Sequence, residues 1–253
     1  MNYEAIIYEK RGALGIITLN RPQKKNAINT QMNQELIQAV DDVEKNNEVK
    51  VLIITGGPEC FSAGADLSEV SASDTSRPTG PNAMDNIIEM RKPTIAAISG
   101  WCVAGGLELA LCCDLRVASE TARIGDAHIR MGTIGGAGSP TRLARLIGVS
   151  KAKELILTGD SVDGNEAYRL GLVNRVYPLD KFIEGALELA GKIANHSPLA
   201  LELSKKAVDA AGYLDEYQSL HHTKVIIDEL LASAEFRERV DAFLSKGKGK
   251  KKE

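Results

Sequence analysis

The sequence has no charge bias. Its 31 Lys and Arg against 34 Asp and Glu leave a formal net charge of -3, which argues against bulk binding to nucleic acid or to an anionic membrane surface. It also lacks a cysteine framework. Cys60, Cys102, Cys112 and Cys113 form no CxxC pair and two are adjacent, so neither a zinc site nor a disulfide set is expected. Buried reduced thiols in a cytoplasmic protein are the simplest reading. No apolar run reaches membrane-spanning length. The first ten residues carry no basic segment followed by an apolar stretch, so no leader is expected. The glycine-rich run 132–138 is not followed by Gly-Lys-Ser/Thr and is no mononucleotide loop. What is present is ordinary for a globular protein: 43% hydrophobic and 26% charged residues over 253 positions, enough for one large domain or one and a half.

Residues 99–114, SGWCVAGGLELALCCD, are the centre of the chain. An apolar strand-like run, 94–98, precedes them. The Gly105–Gly106 pair then opens an almost wholly apolar helical run that holds one carboxylate, Glu108. Burying a lone carboxylate is costly unless it is paired or used. Free N–H groups and the positive dipole end gather at a helix start. Donors there, with a carboxylate one turn on, are the parts of an oxyanion site with an acid or base. The bland alternative is a glycine-rich turn before a buried helix whose glutamate reaches solvent.

In chain order, 5–8 and 14–20 read as short strands around Arg11–Gly12. Asn29–Thr30 caps a helix to about Asn46, with Met32, Leu36, Ile37, Val40 and Val43 at helical spacing. Residues 49–55 form a continuous apolar strand suited to cover on both faces. Residues 60–67 are a small-residue loop entering a short helix, and 68–82 read as a mobile loop. A helix at 84–91 and a strand at 115–118 follow, and 124–138 is a second glycine-rich, site-like loop. Beyond Thr141 helices dominate, with one strand at 172–177 and helices at 179–194, 198–211, 213–231 and 233–244. The last three have no strand between them, so they are expected to pack on the core or on another subunit. The end of the chain, KGKGKKK at 246–252, reads as a solvated tail.

Several stretches line up with one family: NRP at 20–22 with NAI at 26–28, FSAGADL at 61–67, residues 100–114, GTIGGAG at 132–138 with Arg142 and Leu143, and LTG at 157–159 with 167–173. Singly they are weak; in this order and spacing they are specific. The chain resembles, from end to end, the crotonase family of acyl-CoA enzymes, the enoyl-CoA hydratases and isomerases. The resemblance implies an α/β fold, a spiral of ββα units over residues 1–197, and a C-terminal helical trimerisation region with a basic tail over 198–253. It implies a homotrimer, or a homohexamer built as a dimer of trimers. It implies an acyl-CoA substrate, and no cofactor or metal beyond the coenzyme A of that substrate.

The family's shared chemistry is a thioester enolate held by two backbone N–H groups, which fall here on Ala65 and Gly105. Hydratases of the family use two glutamates. The first falls on Glu108 and the second on His128, where the loop reads GDAHIRMG over 125–132. Histidine titrates near neutrality and can serve as acid or base. Asp126 is placed to orient His128 or to supply acidity itself. Alternatively His128 only lines the pocket and Glu108 acts alone, as in family isomerases. Gly136 is read as opening the helix that faces the reaction site. Lys24 and Lys25 are expected near the CoA phosphates. Ala63, Asp66 and Leu67 are expected along the CoA, the last two by the adenine through their backbone. Phe243 and Lys246 match a pair in which the lysine reaches CoA from a neighbouring subunit. His221 and His222, adjacent on one helix, leave at most one for any site, and Trp101 is expected in the core. The implied activity is hydration of a 2-enoyl-CoA. The alternatives are double-bond isomerisation by Glu108 alone, hydrolysis or decarboxylation of an unusual acyl-CoA, and acyl-CoA binding without turnover.

Overall fold

The computed structural model describes residues 3–72 and 81–249. By its internal contacts the chain falls into two units, Met1–Lys192 and Ile193–Glu253.

In the first unit β1 (Ile6–Arg11) and β2 (Leu14–Leu19) form an antiparallel hairpin. Helix α1 (Thr30–Lys45) follows, and the Asn29 side chain accepts from the Met32 N–H, a cap that contributes about 1 kcal/mol. Its buried face is Met32, Leu36, Ala39, Val40 and Val43. The spiral then begins. β3 (Val51–Thr55), β5 (Thr94–Ile98), β7 (Leu115–Ser119) and β9 (Arg175–Tyr177) add in parallel to β2, giving the order β1-β2-β3-β5-β7-β9. β4 (Cys60–Ser62), β6 (Trp101–Val103) and β8 (Arg123–Gly125) form a second, parallel sheet of three. Each turn therefore places one strand in the large sheet and the next in the small one. Every residue of β3 and β5 is buried, as their unbroken apolar runs require. The helices of the turns are α2 (Leu67–Ala72), α3 (Ala83–Glu89), α4 (Gly105–Cys112) and α5 (Ser139–Ile147). α6 (Val149–Thr158), α7 (Gly164–Arg169) and α8 (Phe182–Ala194) complete the series. This is the ββα spiral the resemblance implies.

The second unit holds α9 (Pro198–Ala211), α10 (Glu216–Ala232) and α11 (Ala234–Gly249). Ser197 and Asp215 cap α9 and α10 through Ala200 N–H and Gln218 N–H. α11 runs to Gly249, into the segment read as a solvated tail. The four cysteines are free and buried; burial pushes the Cys112 thiol up to about 12, so it is neutral.

Other expectations are corrected. Residues 68–72, the start of the mobile loop expected at 68–82, belong to helix α2, and 73–80 lie outside the described residues. Trp101 is 43% exposed: it starts the short strand β6, whose core-facing residue is Cys102. The strand expected at 172–177 is only Arg175–Tyr177, because Leu172 and Val173 instead donate to Ala167 and close α7.

Candidate active site

Two loops are laced together at the edge of the small sheet. Ala63 N–H donates to the Lys25 carbonyl (3.0 Å), Ile28 N–H to Gly64 (2.7 Å) and Asp66 N–H to Ile28 (2.9 Å). Asn26, 1% exposed, ties them from within. Its side-chain amide donates to the Gly56 and Cys60 carbonyls, and its backbone carbonyl accepts from Ser62 Oγ. Arg21 pairs with Asp66 at 2.9 Å. Hydrogen bonds from Ser68 and then Arg21 hold the Asp66 carboxyl below the usual range. That carboxylate is thus engaged within the loop. Lys24 and Lys25 are exposed on the first loop, and Leu67 is exposed at the start of α2.

This lacing brings the end of the second loop against the start of α4. A Cβ built on Gly64 would lie 2.9 Å from Gly105 N, and one on Gly105 would lie 3.3 Å from Ala65 N. The Ala65 and Gly105 N–H groups therefore sit close together, and neither donates to a protein acceptor among the described residues. Ala104, immediately before, has φ 50° and ψ -125°, a conformation that costs a non-glycine residue about 1–3 kcal/mol. The Gly106 α-carbon lies against β4, since an added Cβ would sit 2.3 Å from the Ser62 carbonyl oxygen.

Glu108 lies one turn along α4 and is only 4% exposed, so it does not reach solvent. Its Oε1 accepts from Ala137 N–H (2.7 Å) and Ser139 N–H (3.2 Å). Those donors belong to the start of α5, where the helix dipole also favours an anion. They offset the burial of the charge and leave Oε2 uncommitted to them. Opposite stands His128, opening a 3₁₀ turn, His128–Met131. Its Nε2 is 3.6 Å from Glu108 Oε2. Its Nδ1 is 2.8 Å from Asp126 Oδ1, which also accepts the His128 N–H at 3.1 Å. Asp126 Oδ2 accepts from Ser139 Oγ at 2.5 Å. Burial raises the Asp126 pKa, but the bonds from His128 and Ser139 outweigh it and hold the carboxyl below its ordinary value. An ionised Asp126 only accepts, so Nδ1 carries a proton and Nε2 is the exchanging atom. The Asp126 hydrogen bond holds the His128 pKa above its ordinary value against the opposing effect of burial; the charges of Asp126 and Glu108 add to it.

The structure thus brings together Glu108, His128, Asp126, Ala65 and Gly105, with Ala63, Asp66, Leu67, Lys24 and Lys25 along the adjoining loops. Gly136 does not open a helix: α5 begins at Ser139 with Gly138 as its cap. Proline at the second helical position fixes that start, and the Gly136 Cβ direction is open. Phe243 is 77% exposed on α11, and the Lys246 side chain lies outside the described residues. His221 and His222 both border an open groove with Leu214, Tyr217, Gln218 and Val225. Sequence reasoning missed Ser139 and Asn26. Both are small polar residues inside glycine-rich or turn segments, where such residues usually serve only the turn.

The family model for Enoyl-CoA hydratase/isomerase matches residues 9–253. A probable enoyl-CoA hydratase of Rhizobium meliloti (strain 1021) is 38% identical over 98% of each chain. The 2,3-dehydroadipyl-CoA hydratase of Escherichia coli (strain K12) is 36% identical over 95% of this chain and 96% of its own. The crystal structure of an enoyl-CoA hydratase from Bacillus anthracis superposes with a TM-score of 0.90 at 33% identity, covering 96% of each chain.

Proposed function

The chain belongs to the enoyl-CoA hydratase/isomerase family of acyl-CoA enzymes, and from that premise we propose that it adds water across the double bond of a 2-enoyl-CoA using Glu108 and His128 as a pair. The observation that carries this reading is the approach of His128 Nε2 to Glu108 Oε2 at 3.6 Å, on the same helix turn as the Gly105 N–H. Water held at Oε2 gives a proton to Glu108 as its oxygen bonds to Cβ. The π electrons move onto the thioester oxygen, where the Ala65 and Gly105 N–H groups stabilise the enolate. One such donor contributes roughly 3–4 kcal/mol on mutational precedent. His128 Nε2–H then protonates Cα. Glu108 is left protonated and His128 neutral, and transfer of that proton between Oε2 and Nε2 restores the starting state. Asp126 holds the ring. The steps are one carbon–oxygen bond formation at Cβ and proton transfers through Glu108 and His128, so the scheme calls for no metal and no cofactor.

The CoA moiety runs along Ala63, Asp66 and Leu67, with Lys24 and Lys25 at its phosphates and Gly136 lining the acyl end. The protein is a trimer, or two stacked trimers, in which residues 198–253 associate and Phe243 and Lys246 reach a neighbour's CoA. Exposed apolar residues on α10, among them Tyr217 at 82% and Leu220, support that assembly. Four free, buried thiols support a reducing compartment, the cytoplasm. Among the described residues no helix is long and apolar enough to cross a membrane.

A second reading keeps Glu108 as sole acid and base for double-bond isomerisation. The two N–H donors that hold Glu108 independently of His128 favour it. Turnover of crotonyl-CoA in ¹⁸O-labelled water separates the two. Hydration consumes the enoyl-thioester absorbance and places one heavy oxygen in the acyl product. A β,γ-enoyl-CoA shifted to its α,β isomer without oxygen uptake, with crotonyl-CoA untouched, would establish isomerisation instead.

A further inference from the structure

We infer that Ser139 is a positioning residue for proton transfer: its hydroxyl locks Asp126, and through it the His128 ring, onto Glu108. This rests on the paired reading of Glu108 and His128. Ser139 is fully buried and bonds both Glu108 and Asp126, the carboxylate that holds His128. Its N–H donates to Glu108 Oε1, and its Oγ donates to Asp126 Oδ2. Asp126 is 1% exposed, and its other oxygen carries both His128 bonds. Without the hydroxyl, Oδ2 loses the side-chain donor that fixes the carboxylate plane. The carboxylate is then free to turn about its terminal torsion, which is soft, and Oδ1 loses its fixed direction toward Nδ1. Nε2 is thereby released from Glu108 Oε2.

The loop before α5 is shaped around this hydroxyl. A Cβ on Gly135 would meet Ser139 Oγ at 1.9 Å and Glu108 Oε1 at 2.9 Å. Glycine at 135 and serine at 139 are therefore coupled: the bare backbone at 135 is the space the hydroxyl and the carboxylate occupy. The charged groups acting on the His128 ring are Asp126 and Glu108. The far side of its turn faces the end of α6 through Ile129 and Arg130, where Arg130 approaches Asp160 at 3.6 Å.

The test is the pH dependence of hydration kcat in Ser139→Ala, beside Asp126→Asn, the double variant and His128→Ala. Ser139→Ala is expected to lower kcat by about tenfold to a hundredfold, the scale of a misplaced reacting group, with KM little changed. Its alkaline limb should move to lower pH, since the Asp126 bond that raises the His128 pKa is loosened. In the Asp126→Asn background the same change should have almost no further effect, because Ser139 acts through Asp126. Gly135→Ala should reproduce the downward shift of the limb by displacing the hydroxyl. A Ser139→Ala enzyme with the wild-type limb and kcat overturns the inference, as does a loss that adds fully to that of Asp126→Asn. If His128→Ala itself leaves kcat and the limb unchanged, the paired reading has failed and this inference with it. If His128→Ala is impaired and Ser139→Ala is not, only the role of Ser139 is refuted.

Discussion

Glu108 and His128 are useful because their hydrogen bonds differ. Two backbone N–H groups fix one oxygen of Glu108, whereas a single carboxylate, Asp126, fixes His128. If both exchange protons with one water, Glu108→Gln and His128→Ala should each lower turnover by about a hundredfold or more. The double variant should lose little more than the worse single one; additive losses would show that the two do not share a step. The same contacts set a stability window. The folded pKa of His128 is raised, so its contribution is complete below about 6.5 and is lost as pH rises through the folded value. That of Asp126 is lowered, so its contribution is present above about 3.9 and lost as pH falls through the folded value. The urea midpoint lost on Asp126→Asn should therefore be largest between these limits; a loss independent of pH would contradict the pairing.

At the scale of elements, the site depends on where α4 and α5 start. Ala104 turns the chain at φ 50° and Gly106 lets α4 lie on β4. Gly106→Ala places a methyl against the Ser62 backbone carbonyl and should cost about 1–3 kcal/mol in chemical denaturation. Gly136→Ala, with open space at its Cβ, should leave the denaturation midpoint unchanged. An unchanged midpoint for Gly106→Ala would refute the close contact. The glycine pair and Glu108 stood out in the sequence, but that stretch alone read equally as a plain turn before a buried helix; the family motifs gave it a role, and the burial of Glu108 removes the alternative in which it reaches solvent. The strands β3 and β5 were legible as unbroken apolar runs. The start of α5 was not: GTIGGAG carries no local signal of where the helix begins, and Ser139–Pro140 reads equally as a turn. Trp101 misled because size suggests burial, whereas position on a three-residue strand decides it.

At the scale of the whole molecule, the order and spacing of the family motifs carried the spiral and the acyl-CoA chemistry, while the acyl group itself has no counterpart in any single residue. The exposed apolar residues of α10 and α11 predict a trimer or hexamer by light scattering at micromolar concentration, and a monomer there would refute the assembly. The central claim is that a proton on His128, raised in affinity by Asp126, is delivered during hydration. The most direct measurement is the pH profile of hydration kcat for the wild type beside His128→Ala. The wild type should fall on the alkaline side with a limb above about 6.5, and His128→Ala should be slow and lack that limb. An identical profile in both would show that His128 moves no proton and that Glu108 acts alone.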